Sequence, residues 1–181
     1  MRISGLFFAS LIVAAPLAAQ EGDKWVGAQV GFLSQGQDSR GAKDVVMLGA
    51  TAGAWLTNYW GVDVGFQVAN LDSNAGLGSG SQQYLTAAGL FNFLPDGRHW
   101  NIYVKAGAGI ARIEPPWSGS SNTTTKSITL VGLGARYKIG ESGLLGGEFQ
   151  LVRFSANNHE WPFLFTAGWR FGGVSKSHLK K

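Results

Sequence analysis

The sequence contains no cysteine, which removes two ways of stabilising or anchoring an exported protein. No disulfide framework can form, and no residue can carry the lipid of a lipoprotein anchor. Charge is also scarce, since Asp, Glu, Lys and Arg make up 14% of the residues, against roughly 25% in an average protein. Without Arg2 of the signal described below, 14 basic residues face 11 acidic ones. A net charge of +3 does not indicate nucleic-acid binding.

Long hydrophobic runs are missing beyond the N-terminal region. No later stretch approaches the ~18 to 20 continuous apolar residues of a transmembrane helix. The 27 glycines also disfavour long helices, because each costs about 1 kcal/mol relative to alanine in a helix interior. A hydrophobic content of 45% is nevertheless high for a soluble exported protein. Together these features predict an all-β fold.

The N-terminal residues have the order of a secretory signal. Arg2 precedes the apolar run 6–15, and small residues continue to Ala19 before the polar segment 20–23. We therefore predict a signal peptide over residues 1–19, cleaved after Ala19, with Ala18 as the second choice.

Eight later segments of about ten residues alternate apolar with small or polar residues, as strands between lipid and a polar interior do. In the last of them Phe163, Phe165, Ala167, Trp169 and Phe171 share one face. The segments are Trp25–Phe32, Val45–Leu56, Trp60–Val68, Gln82–Phe93, Trp100–Arg112, Ser127–Ile139, Leu144–Phe154 and Trp161–Phe171. In the fourth segment the pattern leaves both facings open.

The connections between these segments alternate in length. Polar or Gly/Ser-rich stretches lie at residues 33–44, 72–81, 114–126 and 155–160, whereas tight turns are predicted at 57–59, 95–98 and 140–142. Long loops on one side and short turns on the other are typical of outer-membrane barrels. We predict an eight-stranded antiparallel up-and-down transmembrane β-barrel over residues 20–171, followed by a basic tail over 172–181, with both termini in the periplasm.

Aromatic residues gather at the short-turn ends of the predicted strands. Tyrosine and tryptophan favour the membrane–water interface, so a girdle is predicted there. Its members are Trp25, Trp55, Tyr59, Trp60, Trp100, Tyr137, Trp169 and Phe171.

Six charged residues fall on the predicted non-lipid face: Asp63, Lys105, Arg136, Lys138, Glu148 and Arg170. Charge at bilayer depth is tolerated away from lipid and when paired, so these residues predict a lumen charge network. A tight turn at 140–142 would place Arg136 roughly opposite Glu148. The first interpretation is an ion-pair network that fills the lumen, and the alternative is a charge gate for small ions.

The chain resembles the small outer-membrane β-barrel family typified by the transmembrane domain of outer membrane protein A. The resemblance lies in Tyr103-Val-Lys-Ala-Gly-Ala-Gly109, Gly132-Leu-Gly-Ala-Arg-Tyr137 and the aromatic last strand. It implies fold and outer-membrane location, and it implies recognition of the last strand by the outer-membrane assembly machinery through a final aromatic residue, here Phe171.

The segment Arg153-Phe-Ser155-Ala-Asn-Asn-His159-Glu160 resembles the outer-membrane lipid A deacylase family. That resemblance implies an esterase with a serine nucleophile and a histidine base two residues before it. Here Arg153 occupies the base position and cannot accept a proton at neutral pH. Ser155 and His159 remain a low-ranking catalytic pair.

The sequence therefore predicts a monomeric Gram-negative outer-membrane protein with a structural or surface-interaction role, with a very narrow, porin-like pore as a further option. It predicts contact with outer-membrane lipid and lipopolysaccharide, no catalytic activity, no cofactor and no metal. The alternatives are the lipid A deacylase-like esterase and a soluble lipocalin-like barrel that binds an apolar ligand. A lipocalin-like barrel would have the reverse facing, with large apolar residues inside.

Overall fold

The computed structural model describes residues 23–35, 45–72, 79–94, 99–114, 123–155 and 158–172. The predicted signal peptide and the tail from residue 173 lie outside the described residues. Within the described ranges, no helix is long and apolar enough to cross a membrane. The eight strands are β1 (Lys24–Gln35), β2 (Val45–Trp55), β3 (Trp60–Asp72), β4 (Ser79–Asn92), β5 (Trp100–Glu114), β6 (Thr124–Ile139), β7 (Gly143–Ser155) and β8 (Asn158–Phe171).

The strands form one closed antiparallel barrel in chain order. The closing seam joins β1 to β8 and runs from Lys24 opposite Phe171 to Gln35 opposite Glu160. Closure removes the free strand edges that hydrocarbon cannot solvate. The predicted fold class is confirmed.

The barrel has two edges. The turn edge carries the connections 56–59, 93–99 and 140–142, together with Asp23, which precedes the first strand, and Gly172, which follows the last strand. The loop edge carries the connections 36–44, 73–78, 115–123 and 156–157. The prediction of a long loop at 155–160 is wrong, because β7 continues to Ser155 and β8 already begins at Asn158. Glu160 pairs with Gln35 on β1 and Val152 on β7, so its backbone belongs to the ladder.

Side-chain facing follows the alternation of the sequence. Large apolar residues such as Phe66, Leu133 and Phe165 are exposed on the outside of the barrel. In β4 the structure settles the open question, since Tyr84 and Leu90 are buried in the lumen. Near the loop edge the outward face becomes polar, with Asn70, Arg112, Ser127, Thr129 and Arg153 exposed. The outer surface is therefore an apolar band with a polar collar at the loop edge.

Arginine substitutions on the outward face of β6 test where the apolar band lies. Val131 is exposed at the middle of the strand, whereas Ser127 faces the same way within the polar collar. We expect Val131→Arg to lower the free energy of unfolding in lipid vesicles by about 2–4 kcal/mol, and Ser127→Arg by about 0–1 kcal/mol, because the cost of arginine falls from the midplane to the interface. Urea titrations in vesicles measure both values, and equal losses would contradict the assigned band.

Candidate functional site in the barrel lumen

Four charged side chains meet inside the half of the barrel nearer the turn edge. Lys105 Nζ on β5 lies 3.0 Å from Asp63 Oδ1 on β3 and 2.8 Å from Glu148 Oε1 on β7. Arg136 Nη2 on β6 lies 3.0 Å from Asp63 Oδ2. All four side chains are at most 2% exposed. We call these residues the lumen ion cluster, and its two cations balance its two carboxylates, as burial requires.

Neutral donors add hydrogen bonds to the two carboxylates of the lumen ion cluster. Thr51 Oγ1 donates to Asp63 Oδ2 at 2.8 Å. Tyr103 Oη donates to Glu148 Oε2 at 2.7 Å, and the Gln150 side-chain amide donates to Glu148 Oε1. Removing one of these donors would leave a buried carboxylate oxygen with one hydrogen bond fewer, which costs free energy, so the donors help to fix the positions of the carboxylates.

The Arg136 guanidinium is held between two aromatic rings. Its Cζ lies 4.2 Å from the Trp25 ring centroid and 4.7 Å from the Tyr103 ring centroid, within the range of cation–π attraction. Glycines at the paired positions of the adjacent strands make room for these rings. A Cβ on Gly53 would collide with the Trp25 ring, and one on Gly134 would lie 2.5 Å from Tyr103 Cζ. The glycine positions therefore decide where the aromatic rings can lie.

Two further layers fill the lumen towards the loop edge. Gln67 Nε2 donates to Gln29 Oε1 at 3.0 Å, and Gln29 Nε2 donates to Thr166 Oγ1 at 3.3 Å. Beyond this amide layer, buried apolar side chains pack against one another. We call this group the apolar plug; it includes Leu33, Val45, Met47, Leu71, Ile113, Ile128, Leu130, Val152 and Leu164.

A buried carboxylate lies near the loop-edge end of the lumen. Glu160 is 1% exposed and accepts hydrogen bonds from Gln82 Nε2, at 2.9 Å to Oε2, and from the Tyr84 hydroxyl. These inward contacts give the physical reason why residues 158–160 extend β8 instead of forming a surface loop.

A second ion group lies at the turn edge and includes a residue that the sequence analysis missed. Asp23 Oδ2 lies 2.9 Å from Lys138 Nζ and 2.6 Å from Arg170 Nη1. Burial raises the pKa of the Asp23 carboxyl, but hydrogen bonds from Lys138 and Arg170 and their positive charges outweigh burial and hold that pKa below its usual 3.8. Asp23 precedes the first strand, so the strand pattern carried no signal for it.

The six predicted lumen charges therefore belong to two groups. Asp63, Lys105, Arg136 and Glu148 form the lumen ion cluster, whereas Lys138 and Arg170 bind Asp23. Arg136 was expected roughly opposite Glu148, but the register pairs Arg136 with Gly146 and Glu148 with Gly134. The two residues are thus diagonal neighbours, and each forms its ion pair with a residue on a strand that is not adjacent to its own.

Two of the predicted girdle residues do not face the membrane. Trp25 and Trp55 are 2% and 7% exposed and lie inside the barrel, with ring centroids 5.7 Å apart. Both occupy inward positions of the alternation, and Gly53 and Gly61 leave space for their rings. The remaining members are exposed or half-buried near the turn edge, namely Tyr59, Trp60, Trp100, Tyr137, Trp169 and Phe171. Their interfacial role stays a prediction.

The low-ranking catalytic pair lies near the loop edge. The register places Arg153 opposite His159 and Ser155 opposite Asn158, with a bulge between Arg153 and Ser155. The His159 ring is exposed and meets the Trp161 ring edge-on at 5.7 Å. The side chain of Ser155 lies outside the described residues. In the described part of the chain, no group of three or more His, Cys, Asp or Glu could hold a metal ion.

Comparison with known proteins gives a family and several similar folds. The family described as "Outer membrane protein beta-barrel domain" matches residues 4–171. The N-terminal β-barrel domain of Pseudomonas aeruginosa OprF is 17% identical, with a TM-score of 0.59, over 83% of this chain and 100% of that one. Ail, the attachment invasion locus protein of Yersinia pestis, is 18% identical, with a TM-score of 0.55, over 84% and 100%. Neisserial surface protein A is 14% identical, with a TM-score of 0.62, over 83% and 96%.

At these identities the structural likeness concerns the fold alone. A comparison with curated protein sequences gives no significant match.

Removing the shared cation tests the lumen ion cluster. Lys105→Met leaves Asp63 and Glu148 buried with only Arg136 to balance them, so we expect a loss of about 3–5 kcal/mol in the free energy of unfolding. Lys105→Met combined with Glu148→Gln leaves the neutral Asp63–Arg136 pair, and we expect it to recover at least half of that loss. Urea unfolding in vesicles measures both variants, and a double variant as unstable as the single one would contradict the charge-balance explanation.

The ion group at the turn edge predicts that the free energy of unfolding depends on pH. Because the folded-state pKa of Asp23 is depressed, its carboxylate contributes stability above pH 3.8, and this contribution is lost as the pH falls through the lower folded-state pKa. We expect Asp23→Asn to cost on the order of 1 kcal/mol at pH 7 and nearly nothing well below pH 3.8. Glu141→Gln, at an exposed carboxyl of the adjacent turn, is the control. A pH-independent difference for Asp23→Asn would exclude this carboxylate as the cause.

Proposed function

The chain belongs to the outer membrane protein beta-barrel domain family, and from this membership and the filled lumen we propose that it is a closed, non-enzymatic outer-membrane scaffold. Its role would be structural, or a surface interaction through the loop-edge segments. We propose that the turn edge and both ends of the chain face the periplasm. The three longer connections of the loop edge, 36–44, 73–78 and 115–123, would then face outward.

The filling of the lumen carries this proposal. An eight-stranded barrel has an interior only wide enough for side chains to fill. Along the described part of the barrel, the lumen ion cluster, the amide layer and the apolar plug follow one another from the turn edge to the loop edge. An ion on this path would have to leave its hydration shell against apolar side chains, which is unfavourable. This favours a scaffold over a narrow pore or a charge gate.

The facing of the side chains also supports a membrane scaffold over a soluble ligand-binding barrel. Exposed Val30, Leu48, Phe66, Val131 and Phe165 give the outside of the barrel an apolar surface. The apolar side chains inside the lumen pack against each other, so the plug already occupies the space that an apolar ligand would need.

An esterase activity receives less support from the geometry. Arg153 stands where the deacylase family has its base, and the His159 ring packs on Trp161 at the outside of the barrel. We therefore propose a non-enzymatic role and keep Ser155 and His159 as the residues that an esterase would need.

Assembly would use the last strand. Phe171 closes β8 at the turn edge and is exposed on the outward side. We propose that the outer-membrane assembly machinery recognises this end of β8, and that the folded barrel is a monomer in contact with lipid and lipopolysaccharide.

Planar-bilayer recording tests the closed scaffold. We expect the refolded wild-type protein to insert without discrete conductance steps, because the apolar plug interrupts the polar path. An Arg136→Ala variant should also stay closed, since the plug is unchanged. Steps in the wild type that Arg136→Ala alters would overturn the scaffold in favour of a charge-gated pore.

Labelling of intact cells tests the proposed orientation separately. A tag inserted in segment 73–78 should be labelled from outside, and one inserted in the turn 140–142 should be labelled only after the outer membrane is permeabilised. The reverse pattern would exclude the proposed orientation and leave the conductance result unaffected.

A further inference from the structure

We propose that the outward face of β7, β8 and β1 near the loop edge is a binding site for lipid A. One acyl chain would lie in an aromatic groove, and a phosphate would bind Arg153 and His159 above it. This inference rests on the proposed orientation, which places the loop edge in the outer leaflet.

The groove follows from the register of three neighbouring strands. Phe163 on β8 lies opposite Phe32 on β1 and opposite Phe149 on β7, and Trp161 lies opposite Ser34. These five residues line a groove on the outside of the barrel. The Phe149 and Trp161 rings stack with centroids 5.4 Å apart and planes 16° from parallel. These rings give the groove an aromatic wall, which is an apolar surface that a hydrocarbon chain can contact.

Towards the middle of the apolar band, the groove continues into a gap where Gly147 has no side chain. Gly147 is two residues from Phe149 on β7 and lies opposite Phe165. A Cβ built on Gly147 would meet no atom within 4 Å, whereas one built on Gly107 would collide with the backbone of β4. The outward surface therefore has an open slot at Gly147, in line with the groove and of a kind that an acyl chain can fill.

Two polar side chains lie at the loop-edge end of the groove. Arg153 and His159 face each other across β7 and β8, and both are exposed. The His159 ring contacts Trp161, so this polar pair adjoins the aromatic wall directly. A guanidinium can bind a phosphate through two parallel hydrogen bonds, and an imidazole N–H can add a third.

The charge and the position favour lipid A over the other possible occupants. An apolar slot below an exposed cation matches a molecule with acyl chains and a phosphate. In the outer leaflet of an outer membrane, lipid A is the molecule that carries both. A second copy of this chain would bring its own Arg153 towards the first if the same face packed on itself, and like charges repel.

Titration of the refolded mature chain with bisphosphorylated lipid A, followed by native mass spectrometry, tests the site. We expect Arg153→Gln and Gly147→Phe each to weaken lipid A binding about tenfold, the first by removing the phosphate contact and the second by filling the slot. The matched controls are Arg112→Gln in the polar collar of β5 and Gly89→Phe on the outward face of β4. Both controls should bind like the wild type, and the gel mobility of unheated samples checks that every variant is folded.

Each other outcome overturns the proposal in an identifiable way. Equal weakening by Arg112→Gln would mean unspecific attraction to the collar, and equal binding of phosphatidylglycerol would remove the assignment to lipid A. A dimer that forms without lipid and is lost in Gly147→Phe would assign the groove to a second copy. Lipid A that loses an acyl chain during the incubation, but not with Ser155→Ala, would make lipid A the substrate of an esterase, and this would overturn both the lipid-binding assignment and the proposed non-enzymatic role. If lipid A does not bind and the planar-bilayer recording shows no conductance steps, this site is refuted and the proposed scaffold is unaffected.

Discussion

The need to pair every backbone polar group in hydrocarbon is the constraint on which this structure depends. A membrane offers no water to an unpaired strand edge, so a sheet that crosses it must close. The seam between β1 and β8 meets this need with twelve paired positions, from Lys24 and Phe171 to Gln35 and Glu160. Once closure fixes eight strands, the interior is narrow, and its contents follow from what side chains can fit there.

The narrow interior turns glycine and aromatic residues into matched partners. Gly53 and Gly134 lie where the rings of Trp25 and Tyr103 need space, and those rings in turn hold the Arg136 guanidinium. Polar side chains in this interior have little water to solvate them, so the lumen ion cluster compensates its charges internally. The lipid-facing surface has the opposite requirement, and it is apolar except at the collar.

Period-two alternation was sufficient to predict the eight strands and the inward position of Asp63, Lys105, Arg136 and Glu148. It was not sufficient for contacts across the lumen, because Asp63 and Lys105 lie on β3 and β5, which are not adjacent, and no sequence spacing relates them. Trp25 and Trp55 were grouped with the girdle by their position near strand ends, although their parity pointed inward. Asp23 lies before β1, outside every alternating segment. For Glu160, the polar composition of 155–160 suggested a loop, whereas its buried contacts with Gln82 and Tyr84 favour strand pairing.

The distribution of the buried charges among hairpins has a consequence for insertion into the membrane. The hairpin of β5 and β6 carries two cations, Lys105 and Arg136, while the hairpins on either side, β3–β4 and β7–β8, carry Asp63 and Glu148. None of these three hairpins is neutral within the lumen ion cluster, and each uncompensated charge at the bilayer centre costs roughly 2.5–3.5 kcal/mol or more. The complete set of ion pairs forms only when the strands from β3 to β7 are assembled. The ion cluster thus penalises the insertion of a single one of these hairpins and favours cooperative assembly of the barrel.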